Sequence, residues 1–242
     1  DWSSDVCSSD LIKYLRNLEA RRQEIINAIT EQEKMTDELM ASLMKAVKLQ
    51  ELEDLYLPYR PKKRTRAMIA RERGLEPLAD MILNDTVTTG DPLDIAKEYI
   101  SEEVPTPEDA IQGASDIVAE IVSDSADFRA TLRKRMWKEG FIQAELVEDN
   151  EHKDQFLQYN EYAEPVRQMP SHRILAVNRG EKLGALKLAL TVPDESYIQY
   201  MVRGITKNEQ SIFSDVKASA VADAYKRLMF PALRSEERRV GK

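Results

Sequence analysis

Apolar residues recur at intervals of three and four along most of this chain, and at intervals of two along one short stretch. Leu15, Leu18, Ile25, Ile26 and Ile29 fall on one stripe between arginines and glutamates, which predicts an amphipathic helix. Thr36 then precedes Asp37 and Glu38, an N-cap followed by acids, and Leu39, Met40, Leu43, Met44 and Val47 repeat at helical spacing. The short connection from Thr30 to Met35 makes this second helix antiparallel to the first. Leu52, Leu55, Tyr56 and Tyr59 keep the period until Pro58 and Pro61 end it. Thr65 can cap a short helix, Arg66 to Arg73, closed by Gly74, and Pro77 opens another through Leu83, so the pair is a helix-turn-helix in outline.

Further along, Thr86 to Pro92 reads as a loop followed by a helix through Ile100. Thr106-Pro107-Glu108-Asp109 combines an N-cap, a proline at the first helical position and two acids, predicting a helix over 107–122. Ser125 to Glu139 repeats this up to Gly140, and Ser171 to Arg179 is a helix closed by Gly180. Phe141 to Glu148 fits a strand or a helix. Leu186, Leu188, Leu190 and Val192 alternate with Ala185, Lys187, Ala189 and Thr191, a strand pattern that Pro193 breaks. Helix returns over 195–203 and 210–230. The expected fold class is therefore mainly α: a multi-helix region with a helix-turn-helix-like pair and at most a small β element. The punctuation divides it into a first helical part, 12–104, and a second, 105–233, with the short strand near 185–192.

Both ends are set apart from this pattern. Residues 1–11, Asp-Trp-Ser-Ser-Asp-Val-Cys-Ser-Ser-Asp-Leu, and 234–242 read as translated sequencing adapter, so the natural stretch is expected to run from Ile12 to Leu233. The single cysteine, Cys7, falls in the first tail. Without it no disulfide or thiolate metal site remains, and a reducing cytoplasm is expected. The whole chain carries a net charge of −8. Such a chain is not a free nucleic-acid-binding arm, so any such contact must come from a local patch. With 42% hydrophobic and 32% charged residues the chain can bury a core, and it has no long uncharged apolar run to enter a membrane.

Candidate chemistry is sparse, and no enzyme activity is expected. His152 and His172 have no histidine or carboxylate partner at metal-ligand spacing, so no metal site is expected. Gly180 and Gly184 lack the Lys and Ser or Thr of a phosphate loop, so no cofactor is implied. One feature is concentrated. From Arg60 to Arg73 there are seven cations, Arg60, Lys62, Lys63, Arg64, Arg66, Arg71 and Arg73, with Glu72 as the single acid. Such a block suits phosphate oxygens, with Tyr56 and Tyr59 near enough to offer stacking faces. Alternatively the cations pair with Glu51, Glu53 and Asp54, or with acidic helices elsewhere, and brace two helical layers.

The run Leu52-Glu-Asp-Leu-Tyr-Leu-Pro-Tyr-Arg-Pro-Lys-Lys-Arg-Thr-Arg66, continued by Ile69-Ala-Arg-Glu-Arg-Gly-Leu-Glu-Pro-Leu-Ala79, closely resembles the N-terminal region of the Tex family of bacterial transcription accessory proteins. Leu15 to Arg21, Gly113 to Ile117, Pro170 to Ala176 and Arg179-Gly180 add to the likeness, which covers nearly all of 12–233. The resemblance implies a cytoplasmic protein that binds nucleic acid, RNA or DNA, and assists transcription, with a core shared with a eukaryotic elongation factor. It also implies that an RNase-H-like domain, helix-hairpin-helix motifs and an OB-fold domain belong to the intact protein, so the chain is expected to be a scaffold-forming fragment that binds weakly by itself. The alternative is a helical protein-interaction module docking on the transcription or translation machinery.

Overall fold

The computed structural model describes residues 2–240, with side chains over 10–235. Residues 1, 241 and 242 and the side chains of 2–9, that of Cys7 included, and of 236–240 lie outside that description, and with them much of both expected adapter-derived tails. In chain order the elements are α1 (Trp2–Glu31), α2 (Asp37–Lys45), α3 (Leu49–Tyr56), α4 (Arg66–Glu72), α5 (Glu76–Asn84), α6 (Pro92–Ala96), α7 (Pro107–Ser123) and α8 (Ala126–Glu139). There follow β1 (Phe141–Leu146), β2 (Tyr162–Pro165), α9 (Ser171–Lys182), β3 (Leu186–Thr191), α10 (Asp194–Ile205), α11 (Ser214–Asp223), one π-helical stretch (Ala224–Met229) and α12 (Phe230–Val240). The fold is mainly α with a small sheet. None of the helices is long and apolar enough to cross a membrane, among the described residues.

The chain divides into two compact units that are interleaved in sequence. The first holds residues 1–130 and 206–224, the second 131–205 and 225–242. The 104/105 division therefore lies inside the first unit, because α7 packs on α4, α5 and α6 from across it. Caps and prolines mark where helices end, which is a different matter from where cores end.

In the first unit, Leu18, Ile25 and Ile29 of α1 bury against Leu43, Ala46 and Leu52. The chain doubles back as the short connection requires: Arg22 donates to the carbonyls of Leu43 (3.1 Å) and Ala46 (2.8 Å), and the Leu49 N–H donates to the Tyr14 hydroxyl (3.3 Å). Leu15, on the same predicted stripe, is 51% exposed. Thr36, Thr65 and Thr106 each accept from the backbone N–H three residues on, at 3.1–3.2 Å, and so start α2, α4 and α7 as their sequence predicts. α7 is the most enclosed of these helices, with Ala110, Ala114, Ile117, Val118, Ala119 and Val122 buried. At Gly113 a side chain is excluded: a Cβ there would lie 2.4 Å from Leu75 Cδ1 and 3.4 Å from Ala70 Cβ. The absence of that atom lets α4 and the turn into α5 settle onto α7.

The segment 206–224 returns to the first unit through charge. Asp85, in left-handed conformation (φ 53°) at the end of α5, pairs with Lys217 of α11 at 2.6 Å, and both side chains are 1% exposed. Asp85 also accepts from the backbone of Lys207 (2.7 Å) and Asn208 (3.1 Å), and Lys217 donates to the Leu83 carbonyl (3.1 Å). A buried pair tolerates its desolvation only with such supporting bonds.

The second unit is built on a three-stranded antiparallel sheet of order β2-β1-β3. The ambiguous stretch after Gly140 is the central strand, with Phe141 opposite Pro165 on one side and Thr191 on the other. Ile142, Ala144 and Leu146 face a core of Phe156, Tyr159, Met169, Val177, Ala185 and Leu186. β2 has no strand signal of its own in sequence. Gly180 does not close α9, which continues to Lys182; instead it is a close-approach site, since a Cβ would meet Leu186 Cδ1 at 2.5 Å and Phe156 Cδ1 at 3.0 Å. The expected continuous helix over 210–230 is also divided, with α11 starting at Ser214 and the π-helical stretch beginning at Ala224.

Asp85 carries the first prediction. Burial works against its ionisation, but the Lys217 ammonium and the two backbone N–H donors outweigh it and hold the carboxyl below its ordinary value. A depressed folded-state value contributes stability above the unfolded value, about 4, which is lost as pH falls through the folded one. Urea unfolding across a pH series should therefore show the wild-type midpoint declining below about pH 4. Asp85→Asn should cost about 3–5 kcal/mol at neutral pH by leaving Lys217 unpaired, and its acid slope should be shallower. An Asn variant with the wild-type midpoint would contradict this account.

Candidate nucleic-acid interface

The basic block lies between the end of α3 and the turn after α4. The Leu57–Tyr59 turn, with Pro58 at its centre, ends the helical run, the Gln32 side chain donates to the Tyr59 carbonyl at 3.0 Å, and Thr65 restarts the helix. The block is thus anchored at both ends while Pro61 to Arg64 crosses between them. Its seven cations fall into three kinds by what they touch.

Lys62 and Arg71 are held by acids of α7 and its end. The Lys62 ammonium bonds Asp124 and lies 3.8 Å from Glu120, and Arg71 donates to Glu120 at 2.8 Å and lies 3.7 Å from Glu76. The Thr65 hydroxyl adds a bond to Glu120 at 2.9 Å. Burial acts to raise the Glu120 carboxyl, but Arg71, Thr65 and Lys62 together bring it below its ordinary value. At Asp124 burial prevails over the pull of Lys62, and the carboxyl titrates above its ordinary value. Arg64 and Arg73 make solvated pairs, with Glu72 at 2.8 Å and Glu103 at 3.7 Å. Exposed pairs of this kind contribute about 0–1 kcal/mol, so either cation can turn to another anion at little cost. Arg60, Lys63 and Arg66 are exposed and make no ion pair with any described residue.

The acids nearest in sequence are engaged elsewhere. Glu51 accepts from the Val47 and Lys48 N–H groups at the start of α3, Glu53 pairs with Arg21 at 2.6 Å, and Asp54 forms a buried pair with Arg129 at 3.1 Å. Of the two tyrosines, Tyr56 lies under the Arg21 guanidinium, 5.5 Å from its ring centroid. Tyr59 packs in part against the α1–α3 core and also lines an open cleft of about 830 Å³, together with Lys34, Arg60, Lys62 and Ile121 of α7. Sequence reading missed Lys34 and Ile121, for neither carries a motif. α4 and α5, joined through Gly74, bury Ala67, Ala70, Leu78, Ala79 and Ile82, so the helix pair spends its inner face on packing. Among the described residues no three His, Cys, Asp or Glu side chains gather as for a metal ion.

Residues 88–232 match the family model described as Tex central region-like. The chain belongs to the Tex family. The matched stretch begins after the basic block, but the likeness to individual Tex relatives is longer. The Bacillus subtilis protein YdcI is 42% identical over 96% of this chain and 32% of its own length. Transcriptional accessory protein Tex of Neisseria gonorrhoeae is 42% identical over 78% of this chain and 25% of its own length. The human S1 RNA-binding domain-containing protein 1 is 25% identical over 94% of this chain and 24% of its own length. This Tex family chain therefore spans a third or less of the length of these relatives.

The sorting of cations predicts unequal stability effects. Lys62→Ala strands Asp124 beside Glu120 and should cost about 1–2 kcal/mol, a value reduced for partial exposure. Lys63→Ala should change stability by under about 0.5 kcal/mol. Urea midpoints compare the two directly, and equal effects would refute the division between holding and free cations.

Proposed function

We propose that this chain is part of a cytoplasmic nucleic-acid-binding transcription accessory protein, and that its first unit presents a phosphate-contacting surface at Arg60, Lys63 and Arg66, with Arg64 and Arg73 beside them. The observation that carries the reading is the set of three exposed cations, paired with no described residue, on a segment held by the α7 carboxylates, in a chain of net charge −8. Phosphate contacts of this kind position a strand without reading its sequence. The printed names of the Neisseria and human relatives, a transcriptional accessory protein and an S1 RNA-binding domain protein, support it. Catalysis is not part of the proposal; metal-dependent nuclease turnover by the intact protein would overturn that exclusion.

A second reading has its own observation. Tyr14, Leu15, Met44, Val47 and Leu49 are all exposed where α1 meets the α2–α3 connection, an apolar surface suited to a protein partner such as a component of the transcription or translation machinery.

Salt separates the two. With Arg60, Lys63 and Arg66 all changed to Ala, the slope of log affinity for an RNA oligonucleotide against log salt should flatten by about 2, near 0.7 for each lost single-strand phosphate contact. Fluorescence anisotropy at several salt concentrations measures it. An unchanged slope would leave the apolar surface as the better reading.

A further inference from the structure

The cleft beside the basic block differs in kind from a solvated charged face. Its walls include Leu39, Leu55, Pro58, Tyr59, Met68 and Ile121, and the last two stand 37% and 42% exposed. Four cations and three acids share its lining. Lys62 and Arg71 are matched by Asp124 and Glu120, and Asp54 is matched by Arg129 from behind. Lys34 and Arg60 are left, since neither makes an ion pair with a described residue. The result is an open cleft of about 830 Å³ with an apolar and aromatic stretch of lining and two positive charges that no described acid matches.

We propose that this cleft seats an unpaired base of a single-stranded nucleic acid, with Tyr59 as the stacking face and Lys34 and Arg60 meeting the flanking phosphates. The inference rests on the phosphate-contacting surface proposed above and names its substrate class. A duplex keeps its bases stacked inside and offers a hollow only its phosphates, so it can use Lys63 and Arg66 but cannot cover Met68 and Ile121. An unstacked base has a π-face for Tyr59 and apolar area to cover those side chains, while its phosphates remain outside with the cations. Both tyrosines pack in part on the α1–α3 core, but Tyr59 lines the cleft, whereas Tyr56 does not and lies under Arg21. Sugar identity is not addressed by these groups, so RNA and DNA single strands share the required chemistry.

The test uses the full chain and four probes of equal charge: oligouridylate, oligothymidylate, a blunt RNA duplex and poly-glutamate. Two variants address the cleft. Tyr59→Leu keeps apolar packing but removes the ring, and Ile121→Trp fills the cleft from an exposed helix position where folding is not at stake. Each should weaken single-strand binding by about tenfold, the loss expected for one base stack, while duplex binding and the slope against salt stay unchanged. Loss on both single strands, or on either alone, supports the proposal, and the difference assigns the sugar. Single-strand binding unaffected by Ile121→Trp would overturn it, as would poly-glutamate binding as tightly as the strands, and in either case the basic surface could still stand. No binding of any oligonucleotide by the unsubstituted chain would overturn the surface and the cleft together.

Discussion

One stripe of α7 determines how the basic segment is presented. Gly113, Ile117, Glu120 and Asp124 follow one another at four, three and four residues, which places them on a single helical face. At its first position this face lacks a side chain, and Leu75 and Ala70 occupy the space. At its last two positions it offers carboxylates, and Lys62, Thr65 and Arg71 occupy those. The close approach and the charge clamp are coupled, because α4 lies against both. A bulkier residue at position 113 would lift α4 and lengthen the bonds two turns away at Glu120. The enclosed α7 is thus the fixed element, and the basic segment takes its path from it.

Seven cations in fourteen residues repel one another, and a chain segment with that composition would ordinarily extend into solvent. Glu120 and Asp124 offset this locally by pairing with the two cations that are least exposed. Their own proximity has a cost, visible in Asp124, which burial and the neighbouring Glu120 both push towards its protonated form. The remaining cations gain a defined position without being neutralised. Bracing, one of the two alternatives the sequence posed, falls to Lys62 and Arg71 and leaves the other cations of the block out of it.

Legibility in the sequence followed the range of the interaction. Thr36, Thr65 and Thr106 act within three residues, and all three caps stand where their neighbours predicted. Signals from pairing partners were invisible. β2 is Tyr-Ala-Glu-Pro, without alternation, and is a strand because β1 lies beside it. β1 itself has a clean period at Ile142, Ala144 and Leu146 that the exposed Phe141 obscured. Gly180 read as a helix stop because sequence shows that a glycine lacks a side chain but not what fills the space; here Leu186 does. The acids named as partners for the basic block were those beside it, Glu51, Glu53 and Asp54, with acidic helices elsewhere as the unnamed alternative, and it is the alternative that holds for Lys62 and Arg71. Those α7 partners of Lys62 and Arg71 lie about fifty to sixty residues further on, among carboxylates that nothing in the sequence distinguishes.

An acidic surface repels a polyanion except where the sign reverses, so under the proposed function a net charge of −8 would narrow the orientations in which a strand arrives. Arg60 and Lys34 reach that reversed patch from different segments, one after α3 and one after α1, and they meet there because Gln32 ties the end of α1 to the Tyr59 carbonyl. A single side chain to backbone bond therefore helps to position both the unmatched charges and the tyrosine between them. A family signature that reads as a charge run is, physically, the exposed remainder of a segment whose other half is spent on holding it in place.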